Sequence, residues 1–212
     1  MAYEKKNIRA VIEEINSRKI YLPAIQRKYV WDDDQITRLM DSIMLGYPIG
    51  TFLFWKVRKS IINKKEYSMY EFIKDFHERD VYKNPSAPQP FPIGSDEETI
   101  WAVLDGQQRL TSLYIALQGS MSRKLPNKRW KNDDAFPIKE LYLDLHSQRT
   151  DEEDISYEFK FLTKEEAKKQ KDDKLWYLVK DILKYSQDEL VTDLIIPNGW
   201  ASDKVAMKNI SL

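Results

Sequence analysis

The stretch WAVLDGQQRLTSLYIAL, residues 101–117, governs the reading of this chain. Its opening is an apolar, β-prone run, and its close places Leu110, Leu113, Tyr114 and Leu117 at helical spacing. A buried strand therefore delivers Asp105 and Gly106 to a tight turn that opens directly into a helix. Gln107, Gln108 and Arg109 occupy the first helical turn, with Thr111 and Ser112 following. A helix N-terminus offers unpaired N–H groups and about half a positive charge. Together these make an anion site, and phosphate is the usual anion. Gly106 lets the backbone approach a ligand because no Cβ intrudes. Arg109 adds a forked, permanently charged donor. Gln107 and Gln108 can hold a water or a ribose hydroxyl, and Asp105 can bind Mg²⁺ or take a proton from water. The same residues also suit a plainer role, with Asp105 as a helix cap, Gly106 as a turn residue and the rest as a solvated first turn. Spacing alone leaves both open.

Two stretches upstream carry further candidates. PAIQRKYVW, residues 23–31, sets Gln26 and Arg27 in a loop among Tyr21, Tyr29 and Trp31. Aromatics there can stack on a base while Arg27 reaches phosphate. Equally, Tyr29 and Trp31 can be core residues over which Arg27 snorkels. GYPIGTFLFWK, residues 46–56, places Pro48 and Ile49 between Gly46 and Gly50 just before an apolar strand. Backbone amides in this turn can meet a ligand, or the turn can be an ordinary helix–strand connection. Downstream, RKLPNKRWK, residues 123–131, holds Arg123, Lys124, Lys128, Arg129 and Lys131 around Trp130 with no acidic residue. Such a patch can grip nucleic-acid phosphates and stack a base, or form a solvated loop.

The remaining pattern mixes helices and strands. Ile8, Val11, Ile12 and Ile15 mark a helix over residues 7–17, and KIYLP a short strand stopped at Pro23. Asp32, Asp33 and Asp34 cap a helix bearing Ile36, Leu39, Met40, Ile43 and Met44, which Gly46 stops. EYSMYEFIKDFHERD reads as a strand running into a helix, and NPSAPQPFPIGSD, residues 84–96, as a loop with four prolines. Residues 121–135 read as loop. ELYLDL and SYEFKFL are candidate neighbouring strands, and TKEEAKKQ opens with a capping box, Thr163 to Glu166. LWYLVKDILKY does not separate into strand or helix, DELVTDLI is a helical fragment, and no terminal element is expected after it. The class is α+β.

Composition narrows the chemistry. The 212 residues include 34 basic and 34 acidic side chains, so no overall field holds this chain to nucleic acid. Cysteine is absent, which excludes disulfides, thiolate catalysis and Cys-ligated metals. His77 and His146 are the two histidines, too few and too far apart for a His-rich metal hydrolase, and no metal-ligand set is expected. Neither has a partner histidine nearby, so an HNH-type nuclease site is not expected within this chain. No membrane span or signal peptide is readable, and the expected location is the cytoplasm.

PAIQRKYVW, DSIMLGYPIGTFLFWK and LDGQQRLTSLYIAL, in that order over residues 8 to about 118, resemble the N-terminal domain of GmrSD-type restriction proteins. That family looks like a branch of the ParB/sulfiredoxin-like superfamily, with a core of a small mixed sheet and packed helices. The resemblance implies a domain that binds and hydrolyses nucleoside triphosphate (NTP), with Mg²⁺, in bacterial defence against phage or modified DNA. It also implies an HNH-type nuclease domain or subunit as partner. Carried over, Asp105, Gln107, Gln108 and Arg109 would be catalytic. Gln26, Arg27, Pro48, Ile49, Gly50, Gly106 and Arg109 would bind the nucleotide. Ile25 stands where the family tends to have an aromatic residue, which weakens base stacking there. Residues 1–120 would form the nucleotide-binding core, with a loop-rich insertion at about 60–99. Residues 121–212 would extend the same domain ahead of a further C-terminal region. The alternative is a non-catalytic DNA-sensing or partner-binding module that controls a separate nuclease, with Arg123, Lys124, Lys128, Arg129, Trp130 and Lys131 on DNA.

Overall fold

A computed structural model describes residues 4–24, 28–63, 67–80, 99–147, 156–169, 173–186 and 188–211. Gln26, Arg27, the proline-rich loop at 84–96 and most of the acidic connection after His146 lie outside the described residues. The first half contains α1 (Ile8–Asn16), β1 (Ile20–Pro23), α2 (Asp33–Met44), β2 (Leu53–Arg58), α3 (Lys59–Asn63), β3 (Met69–Tyr70) and β4 (Asp75–His77). There follow β5 (Thr99–Asp105), α4 (Gln107–Gln118), β6 (Ser120–Ser122), β7 (Glu140–Asp144), β8 (Phe159–Leu162), α5 (Lys164–Lys168), β9 (Trp176–Leu178) and α6 (Lys204–Ile210). Short 3₁₀ turns at Asp133–Ala135, Val179–Lys184 and Trp200–Ser202 and a π-helix at Leu190–Ile195 complete the described elements. The class is α+β, as the interspersed pattern implies.

The chain divides into two compact units. The first takes Met1–Val30, Gly50–Ile73 and Val81–Tyr114. Its sheet runs β2-β5-β1-β3, with β5 antiparallel to β2 and parallel to β1, so the sheet is mixed. Tyr21, Val57, Ile62, Met69, Ile100 and Ala102 form its apolar core, with Trp55 packed against them. Side-chain alternation explains the strand members of this set, since every second residue of a strand faces the same side, and α3 contributes Ile62. Near the C-terminal end of β5 the pairing with β2 slips at Leu53/Phe54, a bulge beside the turn that carries Gly106. Bulges of this kind re-aim side chains next to sites.

The second unit takes Trp31–Ile49, Lys74–Asp80 and Ile115–Leu212. The neighbouring strands expected from ELYLDL and SYEFKFL are β7 and β8, antiparallel with Glu140 opposite Leu162 and Leu143 opposite Phe159. LWYLVKDILKY resolves into β9, on the other edge of β7, followed by a 3₁₀ turn. All five residues of β7 are buried, as expected of a central strand covered on both faces. Helix α2 packs on β8, and its buried Asp41 accepts from Ser156 N (3.2 Å) and Tyr157 N (2.7 Å). Asp32 caps α2 in a reciprocal box with Gln35, and Thr163 does the same for α5 with Glu166.

Three expectations are corrected. EYSMYEFIKDFHERD holds β3 and β4, and no helix among the described residues. Phe72 and Phe76 suggest a helical stripe, but β3 pairs with β1 and β4 pairs with β6, so ladder partners override spacing. The loop expected from residue 121 instead lies partly in β6, parallel to β4; a Cβ on Gly119 would collide with the Lys74 carbonyl, so glycine permits this close approach. The C-terminal region does contain a terminal helix, α6, with Asp203 accepting from Val205 N and Ala206 N. Its seven residues are too few for periodicity to reveal, but Ala206 and Ile210 are buried on one face.

Candidate functional site

Within the first unit, β5 ends at Asp105, Gly106 takes a left-handed φ of +85°, and α4 begins at Gln107. A Cβ at Gly106 would sit 2.5 Å from Phe52 Cδ1 and 3.1 Å from Arg109 Nη2, so both conformation and space demand glycine. Gly50 is also left-handed, at +83°, and a Cβ there would collide with Arg109 Nη1. Two glycines from separate stretches thus flank one guanidinium. Arg109 Nη2 donates to the Thr51 carbonyl (3.0 Å), lies 3.6 Å from Asp105 Oδ2, and its Cζ sits 5.0 Å from the Phe52 ring centre. A guanidinium held by a carbonyl, a carboxylate and an aromatic face is fixed in orientation.

Asp105 does not cap the helix among the described residues; its carboxylate, 72% exposed, leans toward Arg109. The amides of Gln107, Gln108 and Arg109 belong to the first turn, which an α-helix leaves without internal acceptors. Gln107 and Gln108 face inward to backbone. Gln107 Nε2 donates to the carbonyls of Val103 (2.6 Å) and Leu104 (3.2 Å), tying the helix start back onto β5. Gln108 Oε1 accepts from Val30 N (3.0 Å) and its Nε2 donates to the Lys28 carbonyl (3.2 Å). Beside this clamp, the Tyr29 hydroxyl and Ser112 Oγ lie 2.8 Å apart in a buried pair. Tyr29 is therefore a core residue, and its aromatic face is not offered to a ligand.

The structure thus brings Gly50, Asp105, Gly106 and Arg109 together and gives Gln107 and Gln108 positioning contacts. Phe52 and the Thr51 carbonyl were not singled out from sequence; the apolar pattern of TFLFWK marks a strand and carries no sign of a cation resting on it. Pro48 is exposed and Ile49 half-buried, in the second unit. Gln26 and Arg27 lie outside the described residues.

The basic stretch lies in the second unit. Arg123 is committed to Asp33 Oδ1 (2.6 Å), the Trp31 carbonyl (2.7 Å) and the Phe76 ring. Burial lifts the Asp33 carboxyl above the usual carboxylate value, an effect larger than the lowering by Arg123. Lys124 donates its backbone N–H to Glu78 and its ammonium to the Leu125 carbonyl. Lys128, Arg129, Trp130 and Lys131 are exposed, and Trp130 meets buried Phe136 edge-on at 5.4 Å. Among the described residues no cluster of three or more His, Asp or Glu side chains could hold a metal ion, and no helix is long and apolar enough to cross a membrane.

The first unit is thus a mixed sheet whose strand–glycine–helix turn fixes an arginine at the start of α4. The particular family follows from comparison: this chain belongs to the GmrSD restriction endonuclease N-terminal domain family, whose model matches residues 8–211. That match runs well beyond the three blocks read from the sequence. The chain is also 28% identical over 156 residues to an uncharacterized protein of Methanocaldococcus jannaschii, covering 74% of this chain and 23% of that protein. The chain therefore spans less than a quarter of the length of this curated relative.

Proposed function

We propose that the β5–Gly106–α4 turn binds the phosphates of a nucleoside triphosphate, and that nucleotide occupancy regulates a restriction system acting in phage defence. The observation that carries this reading is the Arg109 guanidinium, seated between Gly50 and Gly106 at the start of α4. The positive end of a helix and a cation fixed beside it are complementary to a polyphosphate. Asp105, exposed and acidic, suits Mg²⁺ held jointly by one carboxylate, the phosphates and water, which is that ion's habit. Hydrolysis would then require Asp105 to orient an attacking water and Arg109 to stabilise charge on the transferred phosphoryl group. Gln107 and Gln108 would act by holding the turn and the Lys28–Val30 segment in place. The partner in this reading is a separate HNH-type nuclease domain or subunit, in keeping with the restriction family.

Titration of labelled ATP and GTP with Mg²⁺ tests the placement. Arg109→Ala is expected to weaken binding at least tenfold, since charge-assisted hydrogen bonds contribute about 1.5–3 kcal/mol. Arg109→Lys is expected to restore part of it. Equal affinity in wild type and a folded Arg109→Ala removes the site.

A second reading, DNA sensing without catalysis, is favoured by the exposed Lys128, Arg129, Trp130 and Lys131. The commitments of Arg123 and Lys124 reduce the charge that this surface can offer. The two readings are compatible, and the salt dependence of DNA binding separates them.

A further inference from the structure

His146 follows β7 in the second unit, in a turn held by Asp144. Asp144 Oδ1 accepts from His146 N and Leu175 N, both at 3.0 Å, and Ser147 Oγ donates to the Asp144 carbonyl. Helix α6 docks on this turn. Asn209 Nδ2 donates to the carbonyls of Leu145 (2.9 Å) and Ser147 (2.7 Å), and Ala206 and Ile210 are buried. The imidazole joins the two. Its Nδ1 lies 2.5 Å from the Asp173 carbonyl oxygen, and its Nε2 lies 2.8 Å from Asp203 Oδ2.

Both partners accept and neither donates. A carbonyl has no proton to give, and Asp203 is held below the usual carboxylate value by the amide of Ala206 first and then by His146. A neutral imidazole carries one N–H and can satisfy one of these oxygens; the other would face a ring lone pair. The imidazolium satisfies both. Two carboxylates act on the ring, those of Asp203 at the cap of α6 and Asp144 on β7, while Asp173, ahead of β9, contributes its backbone carbonyl. With 39% of its side chain exposed, His146 exchanges protons freely with solvent.

We propose that His146 is a protonation latch: charged, it ties the β7 turn to the cap of α6, and losing its proton releases the N-terminal end of that helix. The direction of titration agrees. Hydrogen bonding to the Asp173 carbonyl, more than the Asp203 carboxylate, raises the imidazole above its ordinary value of 6.5. A group raised on folding contributes stability that is fully present below its unfolded value and is lost as pH rises through its folded one. The latch is therefore closed below about 6.5 and opens on the alkaline side of His146's own titration point. This inference is independent of the nucleotide reading, because every group in it lies in the second unit.

Hydrogen exchange of the α6 amides, corrected for intrinsic rates, is measured across pH 5.5–9 while the His146 resonance is titrated by NMR. Protection of Val205–Ile210 is expected to fall about tenfold for each unit by which His146 titrates above 6.5. Asp203→Asn keeps a capping oxygen and is expected to move the His146 titration back toward 6.5; His146→Gln is expected to abolish the pH step. A His146 titration at or below 6.5, an unmoved titration in Asp203→Asn, or α6 protection that ignores the titration point would overturn the proposal. Should His146→Gln fail to fold, the wild-type and Asp203→Asn titrations still decide.

Discussion

Gly106→Ala tests the geometry on which the candidate site depends. The substitution imposes two separable penalties. Placing an L-residue at φ +85° costs about 1–2 kcal/mol. The new Cβ also lies 2.5 Å from Phe52 Cδ1, so the ring must move, and overpacking of this sort costs about 1–3 kcal/mol more. Gly46 supplies the control: it too is left-handed, at +72°, but a Cβ there meets nothing within 4 Å. Gly46→Ala therefore carries only the first penalty. The difference between the variants, about 1–3 kcal/mol, isolates the crowding around Phe52 and Arg109. Urea unfolding gives both values, and in a chain of this size each kcal/mol corresponds to about 2–4 °C in Tm. Because the displaced Phe52 ring supports the Arg109 guanidinium, Gly106→Ala should also weaken nucleotide binding under conditions where it remains folded. Equal destabilisation by the two alanines would refute the claim that glycine is required for space as well as for conformation.

Tyr177 carries a buried hydroxyl that lacks a hydrogen-bond partner among the described residues, and burial pushes its phenol well above the ordinary value. Tyr177→Phe removes that unsatisfied group and should leave stability unchanged or raise it by about 1 kcal/mol; a loss of more than that in thermal unfolding would reveal a partner for the hydroxyl. For the basic loop, the triple substitution of Lys128, Arg129 and Lys131 by alanine should lower the slope of log affinity for DNA against log salt by about 3, one per lost phosphate contact. Binding without salt dependence, or an unchanged slope in the triple variant, would remove DNA from this surface.

The parts legible in the sequence are those whose physical causes lie within a few residues. Asp32 with Gln35 and Thr163 with Glu166 close capping boxes across three residues, so both helix starts are written locally. Gly46 ends α2 through bonds from its own amide to Ile43 and from Tyr47 to Ser42, again local and readable. The β5–Gly106–α4 turn was equally plain, because an apolar run, a glycine and a helical stripe follow one another directly. The roles inside that turn were not. Gln108 meets its partners 78 and 80 residues away, and no spacing rule connects it to Val30 or Lys28.

Arg123 seemed part of a free basic patch until folding brought Asp33, 90 residues distant, against it. The residues 69–77 show the same limit for backbone: their apolar spacing suits a helix, and the partners that turn them into β3 and β4 lie on β1 and β6. Sequence alone settled the class, the main helices and their caps, and the strand–glycine–helix turn after Asp105, since propensity and capping act over one or two turns of chain. Tertiary structure decided which polar side chains stay available for chemistry, because hydrogen bonds and ion pairs form between groups that the chain holds far apart until it folds.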